Sequence, residues 1–270
     1  MDKNKILEKA KEIRRLTVEC IASLGVGHIG GCLSIVDVLA VLYYGVMNIE
    51  PLEPNKEGRD RLIVSKGHAG PAVYAALASK GYIKKEDLGT LNKLNTKLPS
   101  HCDMNKTPGV DMTTGSLGQG FSCAVGAAIG SQLKKDGAYI YVIIGDGESQ
   151  EGQIWEAAMY AANKKLNNLI AFTDSNKLQI DGTVDEVNSL GNIAAKWKAF
   201  GWNVYSVDGH NVEEIYNAIK NVKGNGSSPT MIILNTVKGK GISFVEKQGV
   251  SNHNMQITKE QLEIALKELV

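Results

Sequence analysis

The chain has 270 residues, 43% of them hydrophobic and 22% charged, and its 30 basic and 29 acidic side chains leave a formal charge of +1. That balance excludes a polyelectrolyte partner, and no basic patch with interleaved aromatics argues for nucleic acid. The charged N-terminus lacks an apolar signal-peptide core, and the small-residue run 117–133 is too short and interrupted to span a membrane, so a cytoplasmic protein with no membrane partner is expected.

Residues 3–23 carry apolar residues at helical spacing and predict an amphipathic helix ending near Gly25 and Gly27. Ser34 is the expected N-cap of a helix through Val46. Residues 60–65 predict a short buried strand, closed by the Lys66-Gly67-His68 turn, with a helix from Pro71. Residues 86–113, which include Pro99 and Pro108, predict a long loop of the kind that often carries function. From there helices are expected at 117–135, 153–163, 190–200 and 211–222. They alternate with strands at 139–144, 168–173, 203–207 and 230–235. A surface connection at 224–229, a glycine-bearing polar loop at 236–254 and a terminal helix at 258–270, capped by Thr258, complete the chain. This alternation predicts right-handed βαβ crossovers. The expected fold class is α/β: one domain over 1–270, a doubly wound parallel sheet of five or six strands with helices on both faces. Helices within 1–50 and the loop plus helix 236–270 flank that sheet. The four cysteines, Cys20, Cys32, Cys102 and Cys123, lack metal-site spacing and read as reduced thiols.

The densest chemistry lies at Gly145-Asp146-Gly147-Glu148, which closes one apolar run, and at Asp174-Ser175-Asn176, which closes the next. A carboxylate and an amide at neighbouring strand tips are two hard oxygen ligands of the kind Mg²⁺ takes together with substrate phosphates. Crevices at such strand ends are where open parallel sheets bind ligands. The alternative is that Asp146 and Asn176 merely cap turns. Asn167-Asn168 precedes its apolar run and so belongs to a turn at the strand's entry.

In chain order the sequence carries Gly27-His28, Ser65-Lys66-Gly67-His68, Thr114-Gly115-Ser116-Leu117-Gly118-Gln119-Gly120, Gly145-Asp146-Gly147-Glu148 with Glu151-Gly152, and Lys238-Gly239-Lys240-Gly241. Over roughly residues 10–255 it resembles the transketolase family, in particular the N-terminal, diphosphate-binding half of a split enzyme. The resemblance implies thiamine diphosphate and Mg²⁺ (with Ca²⁺ or Mn²⁺ as substitutes). It implies Asp146, Asn176 and the carbonyl of Leu178 as metal ligands. Cofactor contacts are implied for His68, Gly115, Ser116, Leu117, Gly147, Glu148, Asn176, Ile180 and Lys238.

Histidine suits proton movement near neutral pH. The chain has five: His28, His68, His101, His210 and His253. His28, His68 and His101 sit in loops beside glycine or serine, where a structural role is the alternative. The resemblance assigns these three to substrate contact and proton transfer, and His253 to the fourth such position. Two departures stand out: Ile29 follows His28 where proline is common, and Asn254 follows His253 where glycine is usual. His210 reads as structural. Glu151 and Glu156 open a helix where negative charge is favoured by the dipole. The resemblance places both at a subunit interface, with Glu151 in an acid network joining two active sites.

The family's pyrimidine-binding glutamate, its aromatic pocket and its sugar-phosphate arginines lie in domains that follow this one. A separate C-terminal subunit carrying the pyrimidine-binding domain is therefore the expected partner, in an α2β2 heterotetramer. The expected reaction is transfer of a two-carbon ketol unit from a ketose phosphate to an aldose phosphate, within carbohydrate metabolism such as the pentose phosphate pathway. Alternatives are a deoxyxylulose-phosphate synthase-like enzyme, an oxo-acid dehydrogenase component, and a non-catalytic docking subunit.

Overall fold

The computed structural model describes residues 1–224 and 226–269. Asn225, in the predicted connection 224–229, and Val270, at the predicted end of the last helix, lie outside the described residues. Helix α1 (Lys3–Leu24) is started by the Asp2 carboxylate, which accepts from the Lys5 N–H at 3.1 Å, and is stopped by Gly25 at φ 87°. The two-residue strand β1 (Val26–Gly27) leads into α2 (Ile29–Leu33), α3 (Val36–Val41) and a π-helical turn (Leu42–Val46). The expected N-cap at Ser34 is corrected here, because helix begins at Ile29 and Ser34 follows α2. Its buried hydroxyl instead donates to the Asp174 carboxylate at 2.6 Å. A charge-assisted bond inside the protein outweighs a cap at a helix start. The 29–46 stretch is apolar enough to cross a membrane, but 83% of it is buried within the protein.

Strand β2 (Arg61–Val64) is followed by a 3₁₀ turn (Gly67–Ala69) and α4 (Gly70–Lys80), with Pro71 in its first turn. The predicted loop 86–113 contains most of a 3₁₀ helix (Lys85–Thr90). Then come α5 (Gln119–Lys134), β3 (Ile140–Gly145), α6 (Gly152–Asn163) and β4 (Leu169–Ser175). A small hairpin, β5 (Leu178–Gln179) and β6 (Gly182–Thr183), precedes α7 (Val184–Asn188) and α8 (Ile193–Ala199). Next are β7 (Asn203–Asp208), α9 (Val212–Val222) and β8 (Thr230–Asn235). The segment 236–254 departs from the expected loop. It holds α10 (Ser243–Lys247) and a 3₁₀ turn (Gly249–His253), ahead of β9 (Met255–Gln256) and α11 (Lys259–Glu268). Its few apolar side chains, such as Ile242 and Val245, are fully buried, so tertiary packing orders it despite weak periodicity.

Five parallel strands form the central sheet in the order β2-β3-β4-β8-β7. Alternate side chains of each strand face opposite layers. Tyr141, Ile143, Phe172 and Leu234 join the core under α1, α3, α4 and α9. Ile140, Val142, Ile144 and Ile233 join the core under α5, α6 and α8. The chain's three tryptophans, Trp155, Trp197 and Trp202, gather in that second layer around Phe121. Trp155 also donates its indole N–H to the Ser149 carbonyl at 2.9 Å. Just past α1, β1 pairs antiparallel with β9, Gly27 facing Met255.

Two buried acids at the N-terminal edge of the sheet are paired. The Asp60 carboxylate accepts from the N–H groups of Asn48 and Tyr139 at 3.0 and 2.8 Å. Asp111 accepts from Leu62 N–H at 2.8 Å and pairs with Arg59, both side chains being buried. Asn167 and Asn168 lie in the turn before β4 at this same edge, where Asn168 donates to the Ala128 carbonyl at 3.0 Å.

Candidate functional site

Four adjacent strands, β2, β3, β4 and β8, end on one edge and continue into Ser65–His68, Asp146, Asn176 and Lys238. Gly145 pairs with Asp174 and Ser175 with Asn235, so the residues just past these ends share one level. There a cavity of about 220 Å³ opens, walled by Lys66, His68, Gly147, Asn176, Leu178 and Lys238 among others. Asp146, Glu148, Glu151, Leu117, Ile180 and His253 also line it. Gly115 and Ser116 stand beside the cavity rather than in its wall; a Cβ on Gly115 would lie 3.7 Å from the His101 ring.

Asp146 is buried, and its carboxylate accepts the N–H of Gly147 at 2.8 Å and of Lys177 at 2.6 Å. Burial, then the charge of Asp174, push its carboxyl up to about 6. A divalent cation would relieve that strain on the ionised form. The Asn176 side-chain oxygen accepts from Leu178 N–H at 3.1 Å, and its amide donates to Asp174 at 3.0 Å. The Leu178 carbonyl accepts from the Lys238 ammonium at 3.1 Å. Among the described residues no group of three His, Cys, Asp or Glu is placed to hold a metal. The candidate set is instead one carboxylate, one amide and one peptide carbonyl, the hard-oxygen composition that suits Mg²⁺ with phosphate oxygens. Gly147 keeps the floor low, because a Cβ there would sit 3.2 Å from Gln179 Cβ. These residues fit a metal-bound diphosphate.

Glu148 serves the site from beneath. Its carboxylate accepts from Gly118 N–H at 2.9 Å and Gly145 N–H at 3.0 Å, and also from the Ser65 hydroxyl, tying β2, β3 and the start of α5 together. Glu151 is exposed at the rim, as is Glu156 further along α6.

Four imidazoles cluster at one end of the cavity: His68 and His253 stand in its wall, His28 packs beside both, and His101 beside His28. The ring centre of His28 lies 5.4 Å from that of His68, 5.4 Å from His253 and 6.1 Å from His101, and His68 lies 5.0 Å from His253. Burial, then the nearby His101 and Lys238, hold His28 below its ordinary value, and burial, then Lys66, hold His68 well below it. Burial, then Lys238, bring His253 down to about 4. These three rings are neutral at neutral pH. Lys238 is itself only 4% exposed, and burial, then Lys66, bring its ammonium down to about 8. Its ammonium faces His253 Nδ1 at 3.2 Å. His210 is remote from this cluster in role. Its Nδ1 meets Asp37 at 2.8 Å and its Nε2 accepts from Val237 N–H at 2.8 Å, which fixes the Nδ1–H tautomer.

Sequence reasoning missed the support beneath this floor. Lys66 and Asp174 form an ion pair at 2.6 Å, with side chains 2% and 0% exposed. Ser34, Thr236 and Asn176 donate to the same carboxylate, and Lys66 also donates to the Gly31 carbonyl at 2.6 Å. The partners are up to 140 positions apart, so no local spacing announces them. The available signals were Asp174 beside Asn176 and Lys66 within Ser65-Lys66-Gly67-His68.

Residues 6–268 match the family model described as transketolase, thiamine diphosphate binding domain. The chain is 57% identical to the 6-deoxy-6-sulfo-D-fructose transketolase subunit SqwG of Clostridium sp. (strain MSTE9), over 97% of this chain and 94% of that protein. It is 40% identical to one of the subunits of the apulose-4-phosphate transketolase of Phocaeicola vulgatus, over 97% of this chain and 92% of that one. A crystal structure of transketolase from Campylobacter jejuni superposes with a TM-score of 0.93 at 33% identity, over 100% of this chain and 43% of its own.

Proposed function

The chain belongs to the transketolase family, and from that premise we propose that it is the diphosphate-binding subunit of a two-carbon ketol transferase completed by a second polypeptide. The observation that carries this is the meeting of Asp146, Asn176 and the Leu178 carbonyl with His68 and His253 in one cavity, and with His28 and His101 beside those rings. In this reading the three oxygens hold Mg²⁺, Gly147 admits the diphosphate and Lys238 screens its charge. Bound thiamine diphosphate supplies the electron sink for carbon–carbon bond cleavage and formation.

The neutral imidazoles handle the sugar's protons. His253 Nδ1 accepts from the Lys238 ammonium, which leaves Nε2–H as a donor toward a developing alkoxide. His28 and His68, held neutral by burial, are the proposed acceptors of a hydroxyl proton, with His101 at the open end guiding the sugar. The Lys66–Asp174 pair fixes the floor on which these groups stand. Exposed Ile180 and Leu117, 64% and 37% accessible at the mouth, are apolar surface that a partner subunit would cover. A second subunit bearing the pyrimidine-binding domain, an α2β2 assembly and a cytoplasmic setting complete the proposal. The second subunit is supported by relatives that are themselves named as subunits and matched over more than nine-tenths of their length.

The donor follows the most informative identity: 57% to a 6-deoxy-6-sulfo-D-fructose transketolase subunit favours that sulfo-sugar. A ketose phosphate is the second reading, favoured by 29% and 30% identity to Pichia stipitis transketolases solved with fructose 6-phosphate and sedoheptulose 7-phosphate. Isothermal titration of the chain with thiamine diphosphate and Mg²⁺, by itself and with the partner subunit, tests the assembly. Tight binding and two-carbon transfer only in the mixture are expected. Transfer by the lone chain refutes the shared site, and absence of transfer in the mixture favours a docking role. Comparing kcat/KM for 6-deoxy-6-sulfo-D-fructose and fructose 6-phosphate in that mixture decides the donor.

A further inference from the structure

Asn252 stands next to His253, in the stretch where the sequence departs from its family's pattern. Its side chain is fully buried. The carboxamide N–H₂ donates to the Lys238 carbonyl and to the Val245 carbonyl, each at 3.0 Å. Among the described residues the carboxamide oxygen has no hydrogen-bond partner. It is pressed against Gly30 so closely that a Cβ there would lie 2.1 Å from it. On the other side Gly239, at φ +90°, would bring a Cβ within 3.1 Å of the same amide nitrogen. Gly239 N–H in turn donates to the Gly30 carbonyl at 3.1 Å. One amide therefore sits where three segments cross: the start of α2 just after His28, the strap carrying Lys238, and the turn carrying His253.

We propose that Asn252 is a positioning residue that sets Lys238 and His253 against each other and against His28. Both of its donors are used on main-chain carbonyls, so the strap is held by the backbone rather than by the lysine side chain. That leaves the Lys238 ammonium free to meet Leu178, His253 and an incoming anion. Leaving its oxygen without a partner costs free energy, and a buried apolar side chain of the same shape would avoid that cost. The polar residue is kept because no apolar one can grip two carbonyls at once. Two close-packed glycines make its seat, and neither tolerates a side chain without displacement.

The inference rests on the reading of the cavity as a diphosphate site, and two measurements keep the two apart. The first is a double-mutant cycle on the chain with its partner subunit, using Asn252→Leu, Lys238→Met and both together. It reads thiamine diphosphate affinity at fixed Mg²⁺ by titration. Asn252→Leu alone is expected to weaken binding about tenfold, equivalent to about 1.4 kcal/mol. In the Lys238→Met background it should weaken it less than about twofold, because the group it positions is gone. Two additive losses overturn the proposal. No thiamine diphosphate binding by the unsubstituted complex overturns the diphosphate reading instead. The second measurement needs no cofactor: amide hydrogen exchange of the full chain. Asn252→Leu should raise exchange at Gly239 about tenfold or more while Ile143 in β3 changes little. A parallel rise at both amides means Asn252 only supports the fold, and the proposal fails.

Discussion

The two edges of the central sheet treat charge in opposite ways. At the N-terminal edge each acid is met by fixed donors, Asp60 by two backbone N–H groups and Asp111 by a backbone N–H and Arg59. At the C-terminal edge, beside the paired Lys66 and Asp174, three groups sit uneasily. Asp146 is pushed up to about 6, His253 down to about 4 and Lys238 down to about 8, all chiefly by burial. One edge has settled its electrostatics within the chain, while the other keeps ionisable groups buried together in a cavity. Such concentrations mark sites built for a ligand.

Substitutions can break that contrast. Asp146→Ala removes the carboxylate of the proposed metal set and should weaken Mg²⁺-dependent thiamine diphosphate binding about a thousandfold, about 4 kcal/mol by titration. Undiminished saturation would take the metal away from this edge. Arg59→Met, at the other edge, takes the nearer of two arginines from buried Asp111 and leaves only Arg61, at 3.9 Å. It should cost about 3 kcal/mol of stability in a urea titration and leave cofactor affinity unchanged. His68→Gln should lower two-carbon transfer about a hundredfold in the assembled enzyme, with the urea midpoint held. A fall in stability instead would make His68 a structural histidine.

The smallest effect is the pH dependence of stability. His253 titrates near 4 in the folded chain against its ordinary 6.5, so the unfolded chain takes up that proton first as pH falls. The stabilising contribution is complete above about pH 6.5 and is lost on descending toward about pH 4. Asp146, raised from 3.8 to about 6, acts with the opposite sign, because its folded form binds the proton more readily. The informative quantity is therefore the difference between the parent and His253→Gln. The variant should lose less stability between about pH 7 and about pH 4.5, and equal losses would mean that the His253 environment is not proton-excluding.

How much of this was legible in the sequence follows from the range of the interactions. Apolar runs closing on Gly145 and Ser175 placed Asp146 and Asn176 on one sheet edge, because strand direction and burial are locally coded. The strand alternation likewise gave the parallel sheet. Ser34 misled, because a serine before an apolar run looks like a cap until a carboxylate 140 residues away claims its hydroxyl. Lys66–Asp174 and the seat of Asn252 were illegible for the same reason. Residues 236–254 read as loop because their order comes from contacts with the start of α2 and the strand ends, not from their own periodicity.

The indole of Trp155 gives the site a built-in optical reporter. It donates to the carbonyl of Ser149, three positions past Asp146, and touches the ring of Trp197 with centres 5.0 Å apart. A shift of that short turn when an ion or coenzyme arrives would alter the polarity and stacking around the fluorophore. Emission from this one cluster therefore offers a label-free signal of loading, while remaining blind to the tryptophan-free layer under α1 and α4.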